Sequence, residues 1–314
     1  MRKFTALLML LCLLFLFGCA PEPEAPTAPE ESFTPAATEA PTEAPVEATE
    51  ATTEEPTEPP TEAPTEPPRL CDSTRPDYDL GSCRVFSGPL QAVLIFLDDS
   101  ESQWDDESIR LAYETNIAPA FAFLEAAGAQ WDVELTFLPA EDLTARAVYD
   151  GRVEGDIFSA PHSADILNQA AAALGFFSPE RMDADFSAKS GGEVIFLLLL
   201  NKDGCSYSIN DGLDDGYDDP EYCVLFSHYT DYVAVTGPST VAHEILHLFG
   251  AEDYYDPYGT HPQRAVLAET LYPTDIMLRV YTDISWNTLG GFTAYSVGWT
   301  EDLPEECRQV GWWG

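Results

Sequence analysis

The chain is poor in positive charge. Its 314 residues include 14 Lys and Arg against 55 Asp and Glu, a formal net charge of −41. A surface of that sign repels phosphate backbones and anionic lipid headgroups, which excludes nucleic acid and an acidic membrane face as partners. Long apolar runs are also missing. The one near the start, up to Gly18, is too short for a comfortable membrane span. No cysteine spacing suggests a metal–thiolate site. There are five histidines, and His162 and His228 lie far from the others, where structural or surface roles are the plain expectation. Two of the remaining three stand close together.

His243 and His247 fall in Val241–Tyr255, VAHEILHLFGAEDYY. On a helix they sit one turn apart on the same face, the spacing at which two imidazoles reach one metal ion. Glu244 lies beside them, placed to take a proton from a water. Gly250 falls where the helix would end, because glycine tolerates the left-handed conformation that turns the chain back. Asp253 can then bring a carboxylate to the same ion. Three protein ligands leave one position open, which suits a catalytic zinc better than a structural one. The bland alternative is an amphipathic helix that packs Val241, Ile245, Leu248 and Phe249 and carries surface histidines.

The string HEILHLFGAED resembles the metzincin pattern HExxHxxGxxH/D in its Asp-ending, snapalysin-like form. The likeness covers about a dozen residues and is specific at His243, Glu244, His247, Gly250 and Asp253. It implies a zinc metallopeptidase with His243, His247 and Asp253 as ligands and Glu244 as general base. It also implies an α+β fold with a mixed, mainly parallel twisted sheet, an active-site helix and a smaller C-terminal subdomain. Tyr272–Met277, YPTDIM, resembles the methionine turn of that class, with Met277 as an adaptable apolar floor under the histidines. Several metzincins place a Tyr two residues past that Met. Arg279 stands there instead, and Tyr281 lies two further on, so no oxyanion-stabilising residue carries over. Glu269 and His261 are the rivals of Asp253 for the third-ligand role.

Met1–Gly18 reads as a signal segment, with Arg2 and Lys3 ahead of the apolar run. Leu16-Phe17-Gly18-Cys19 resembles a bacterial lipobox, which implies export and a lipid on Cys19 at the outer face of the cell membrane. Residues 19–68 are Pro, Glu, Thr and Ala almost throughout. They have too little apolar surface to offset chain entropy, so a stiffened, solvated spacer is expected. Residues 69–314 are the right size for one domain, expected to be monomeric and to act on a peptide or protein. Export permits disulfides. Of Cys71, Cys83, Cys205, Cys223 and Cys307, the sequence-near pairs Cys71–Cys83 and Cys205–Cys223 are the expected bridges. The acidic stretch Asn210–Glu221 either wraps calcium with oxygen ligands or stays a solvated loop, and Leu213 breaks the EF-hand spacing.

The element order agrees with the motif. Strands are expected at Gln91–Leu97, Trp131–Leu138, Glu193–Leu200, Tyr222–His228 and Tyr232–Thr236. A helix over Asp105–Ala127 is kinked or split by Pro119 and closed by Gly128, and Ser163–Leu174 forms another. The motif helix starts at Gly237-Pro238-Ser239, and Thr293–Trp299 forms a short closing helix. By the resemblance Tyr222–His228 is the antiparallel edge strand along a substrate cleft, to which an extended peptide adds as a further strand; the equal alternative is a purely core strand, since Cys223, Val224 and Leu225 look structural. A surface adhesin or binding module on an inactive scaffold of the same kind is the competing function, and the intact Glu244 argues against it. Cys19→Ser should leave the protein out of the membrane fraction or with its signal uncleaved. Unchanged partitioning and maturation would remove the lipid anchor.

Overall fold

Three apolar strands set the architecture. In β1 (Gly88–Asp98), β4 (Glu193–Gly204) and β6 (Tyr222–Tyr229) the central residues are buried in unbroken runs, Ala92–Leu97, Val194–Leu200 and Tyr222–Phe226, whichever way they point. Parallel strands covered on both faces read this way, as continuous apolar runs. A computed structural model describes residues 82–303, apart from 84, 139–144, 156–162, 191, 210–219, 230–233 and 256–261, together with residue 305. In it the three strands pair in parallel at the centre of one sheet of order β2-β1-β4-β6-β5. Strands β2 (Leu135–Leu138) and β3 (Arg146–Val148) also run parallel to β1. The antiparallel pairs are β5 (Tyr207–Ile209) and β7 (Ala234–Val235), both on β6. The fold is α+β, with a mixed, mostly parallel sheet.

Alternation along the strands divides the apolar residues into two cores. Leu94, Phe96, Ile195, Leu197, Cys223 and Leu225 face the first. Ile95, Leu97, Phe196, Leu198, Val224 and Phe226 face the second. The second is closed by α3 (Ser163–Ala173) and α4 (Pro179–Ser190), through Ile166, Leu167, Ala170 and Met182. The first is closed by α1 (Asp106–Ala112), α2 (Ala118–Gln130) and the motif helix α5 (Pro238–Leu248). Helix α6 (Pro262–Leu271), the 275–289 segment, α7 (Gly291–Ser296) and the residues just after it send Ala268, Met277, Phe292 and Trp299 into that same first core. The described C-terminal residues therefore share the first core, where a smaller subdomain of their own was expected. Phe86 stacks on both Phe249 and Trp299, and Trp299 Nε1 donates to Phe86 O at 2.7 Å. This joins the chain just before β1 to the end of α5.

Three expectations change. The long helix is divided next to Pro119, as expected: Tyr113–Ile117 forms a π-helical stretch, and Pro119 enters at the start of α2, where a missing N–H costs little. Gly128, however, does not close the helix. It lies within α2, and a Cβ there would stand 3.3 Å from Val133 O and 3.6 Å from the Trp299 ring, so close packing explains this glycine. The antiparallel edge is not Tyr222–His228, which is the interior strand β6, but the three-residue β5. Finally, neither expected disulfide forms, since Cys83 and Cys223 are both buried thiols. Opposite Cys223 in the β5–β6 register stands Ser208, three residues beyond Cys205, and Cys83 Sγ points to Val194 O. Cys19, Cys71, Cys307, His162 and His261 lie outside the described residues, as do 210–219 of the stretch considered for calcium. Glu221 at its end is buried and accepts the Cys83 N–H at 2.7 Å.

A buried ion pair ties the loop after β1 to the end of β4. Asp99 accepts from Glu101 N, Ser102 N and Ser102 Oγ on one oxygen and from Val153 N and Lys202 Nζ on the other. Burial alone would raise its pKa, but Lys202 and the backbone donors outweigh that and lower it from 3.8 to about 2. The sign follows from a folded-state pKa below the unfolded one. This stability is present above about pH 4 and is lost as pH falls toward 2. Asp99→Asn should therefore cost about 2 kcal/mol at pH 7 by urea unfolding, with the gap to wild type narrowing at pH 2–3. A gap independent of pH would contradict the pairing.

Candidate metal centre

Helix α5 begins at Gly237, with Pro238 in its first turn, where proline's fixed φ suits the helix. It ends in a Schellman turn. Gly250 has φ +88°, its N–H reaches His247 O, and Ala251 N–H reaches Leu246 O, the two bonds that define this cap. The turn carries Asp253 back over the helix face that bears the histidines. His243 Nε2, His247 Nε2 and Asp253 Oδ1 converge, with separations of 3.1 Å between the nitrogens and 3.2 and 3.3 Å to the carboxylate oxygen.

Each imidazole is oriented from behind. His243 Nδ1 lies 3.0 Å from Ile276 O and His247 Nδ1 lies 2.7 Å from Ala251 O. A carbonyl can only accept, so both Nδ1 atoms carry a proton and both Nε2 atoms face the convergence. Burial disfavours charge on His247, but Asp253 outweighs it and raises the imidazole to about 9. Burial likewise raises the Asp253 carboxyl, yet the two histidines overcome it and hold it well below the carboxylate range. The electrostatics of the cluster favour a positive charge at its centre.

The donor set fits zinc. Tetrahedral bonds of about 2.0–2.1 Å place ligand atoms ~3.3 Å apart, close to the separations here, and two imidazoles with one carboxylate are a zinc donor set. Among the described residues this is the one group of three metal-ligating side chains whose donor atoms converge, all within 4.8 Å of one another.

The floor of the site is the turn at 275–278. Met277 is fully buried there, and its carbonyl accepts Tyr254 N–H at 2.9 Å, next to the Asp253 carboxylate. Ile276 O holds His243. The turn is gathered by buried Asp275, which accepts from Met277 N, Gly290 N and Thr293 Oγ1. Burial pushes its carboxyl up to about 6 against the pull of those donors. The loop carrying Asp253 is also tied to α6, since Glu252 pairs with Arg264 at 2.7 Å.

The rivals go elsewhere. Glu269 lies on the exposed side of α6, paired with Arg279 at 2.7 Å. His228 is nearly half exposed and lies near Asp203. Tyr281 packs edge-on against Trp286. Glu244 is buried, and both its backbone carbonyl and its Oε2 lie 2.8 Å from Ser208 Oγ.

Sequence reasoning missed Ser208 and Tyr255. The Tyr255 ring lies nearly parallel to His243 at 6.5 Å, and its hydroxyl bonds Asp253. Burial and the Asp253 charge raise that phenol above its ordinary pKa. Its position two residues after Asp253 was a usable signal. Ser208, on a three-residue strand, offered none.

No protein-family model and no curated protein matches the sequence. Among solved structures, a zinc-dependent peptidase from Methanocorpusculum labreanum (strain Z) is similar at 15% identity, over 67% of this chain and 100% of that one, with a TM-score of 0.30. Overlap at that level carries no weight, and the site stands on its own geometry.

Asp253→Ala should strip zinc from the purified protein on dialysis, while Glu269→Ala should retain it. Metal analysis of both variants decides the point. Zinc kept in Asp253→Ala and lost in Glu269→Ala would overturn the ligand set.

Proposed function

We propose that the chain is an exported zinc-dependent endopeptidase, held at the outer face of the bacterial membrane by a lipid on Cys19 and kept clear of it by the 19–68 spacer. The observation that carries the enzymatic reading is the meeting of His243, His247 and Asp253 at tetrahedral spacing, with Glu244 on the same helix beside them. When bound there, zinc supplies a Lewis acid that polarises a carbonyl and makes water easier to deprotonate. An aspartate ligand gives the ion more negative charge than a third imidazole would, so the gain in water acidity is the smaller one.

The protein's own residues do the rest. His243 and His247 present fixed lone pairs, and Asp253 balances charge. Glu244 takes the proton of the attacking water and passes it to the leaving amine, its burial keeping competing water away. Peptides are favoured over other substrates because the sheet ends, among the described residues, at the short antiparallel strand β5, which also carries the Ser208 contact to Glu244. An extended chain pairing with that edge runs past the base. The anionic surface keeps the protein soluble and apart from lipid headgroups.

Glu244→Gln should keep zinc and lose cleavage of a peptide library by about three orders of magnitude or more, as expected when a base is removed and all ligands stay. Activity within tenfold of wild type would defeat the mechanism. Equal inactivity of both zinc-loaded proteins would favour a binding module.

A further inference from the structure

We infer that Ser208 is the positioning residue for Glu244, fixing which carboxylate oxygen faces the reaction; this rests on the reading of Glu244 as the base. The placement follows from strand geometry. On β5, Tyr207 and Ile209 point to the second core, so Ser208 points to the opposite face of the sheet, where α5 lies. Its hydroxyl stands 2.8 Å from Glu244 Oε2 and 2.8 Å from Glu244 O.

A hydroxyl has one proton to give. Within a helix, the Glu244 carbonyl accepts from the residue a turn further on. The side-chain carboxylate has no such intrahelical donor and is the stronger acceptor. Ser208 therefore donates to Oε2, leaving Oε1 to meet the water. The other neighbour of Ser208 Oγ is Cys223 Sγ at 3.5 Å. Burial first, and Glu244 second, hold that thiol well above its ordinary pKa, so it stays neutral and competes weakly.

The geometry also accommodates the change of charge. As Oε1 takes the water's proton, Oε2 becomes a poorer acceptor, and the Ser208 hydrogen can turn to the carbonyl at the same distance. When Oε1 gives the proton to the leaving amine, the hydrogen turns back. No heavy atom has to move, which is what a preorganised site requires. Ser208 starts and ends neutral, and the proton gained by Glu244 is the one it gives away. Because Ser208 lies on the edge strand, a peptide that orders β5 also orders the base.

Ser208→Ala and Ser208→Thr in the full-length protein test this. Ala should lower kcat by ~10–100-fold, the range for losing a supporting hydrogen bond behind an active group. KM and zinc content should stay within about twofold, while Thr, which keeps the hydroxyl, restores most of kcat. In the Glu244→Gln background, Ser208→Ala should cost nothing further. Crystals of the zinc-free proteins give a readout that needs no activity. Wild type should show one Glu244 orientation with Oε2 on Ser208, and Ser208→Ala should show several. An unchanged kcat with an unchanged Glu244, or equal losses in Ala and Thr, would overturn the inference. If wild type cleaves no peptide, the peptidase reading fails, and the zinc-free crystals still decide whether Ser208 holds Glu244.

Discussion

The site depends on one buried carboxylate that lies outside the His243, His247 and Asp253 cluster. Asp275 collects two backbone N–H groups and the Thr293 hydroxyl, and so closes the turn whose carbonyls hold His243 and the Asp253 loop. A buried carboxylate is tolerated only when its acceptors are filled. The fold therefore commits the 275–278 turn, Gly290 and α7 to one arrangement. Thr293 extends the commitment, since its hydroxyl also meets that of Tyr254, the residue after Asp253. The ligand geometry is set from below, by backbone held in register, as much as from the helix above.

The other wall of the site is the sheet edge. The central strands spend both faces on burial, so the contact between sheet and Glu244 falls to β5, a strand of three residues. Helix, turn and edge strand thus approach one point from three directions. Two of them are tied to the first core through Met277 and Val241, and the third through its pairing with β6. Small shifts at such a point are resisted because the packed core around it is close to incompressible.

The parts of this arrangement legible in the sequence are those whose determinants lie close together. His243, Glu244, His247, Gly250 and Asp253 sit within eleven positions, and the helix and its cap turn that spacing into geometry. The runs of β1, β4 and β6 were equally plain, because burial on both faces leaves a continuous apolar signature. That signature does not say where a strand stands, which is why β6 was expected at the edge and lies inside. Gly128 read as a stop because a glycine looks the same whether it ends a helix or admits a neighbour, here Trp299. Cysteine spacing misled for a similar reason. Nearness along the chain does not place Cys205 opposite Cys223 when the register puts Ser208 there.

The central claim is that two imidazoles and one carboxylate hold a single zinc. It is tested most directly by metal analysis and zinc X-ray absorption on the purified full-length protein. The account predicts one zinc per chain, with only nitrogen and oxygen neighbours at about 2.0–2.2 Å and imidazole scattering from two rings. Absence of zinc after growth in zinc-replete medium, or a sulfur shell at about 2.3 Å, would contradict it.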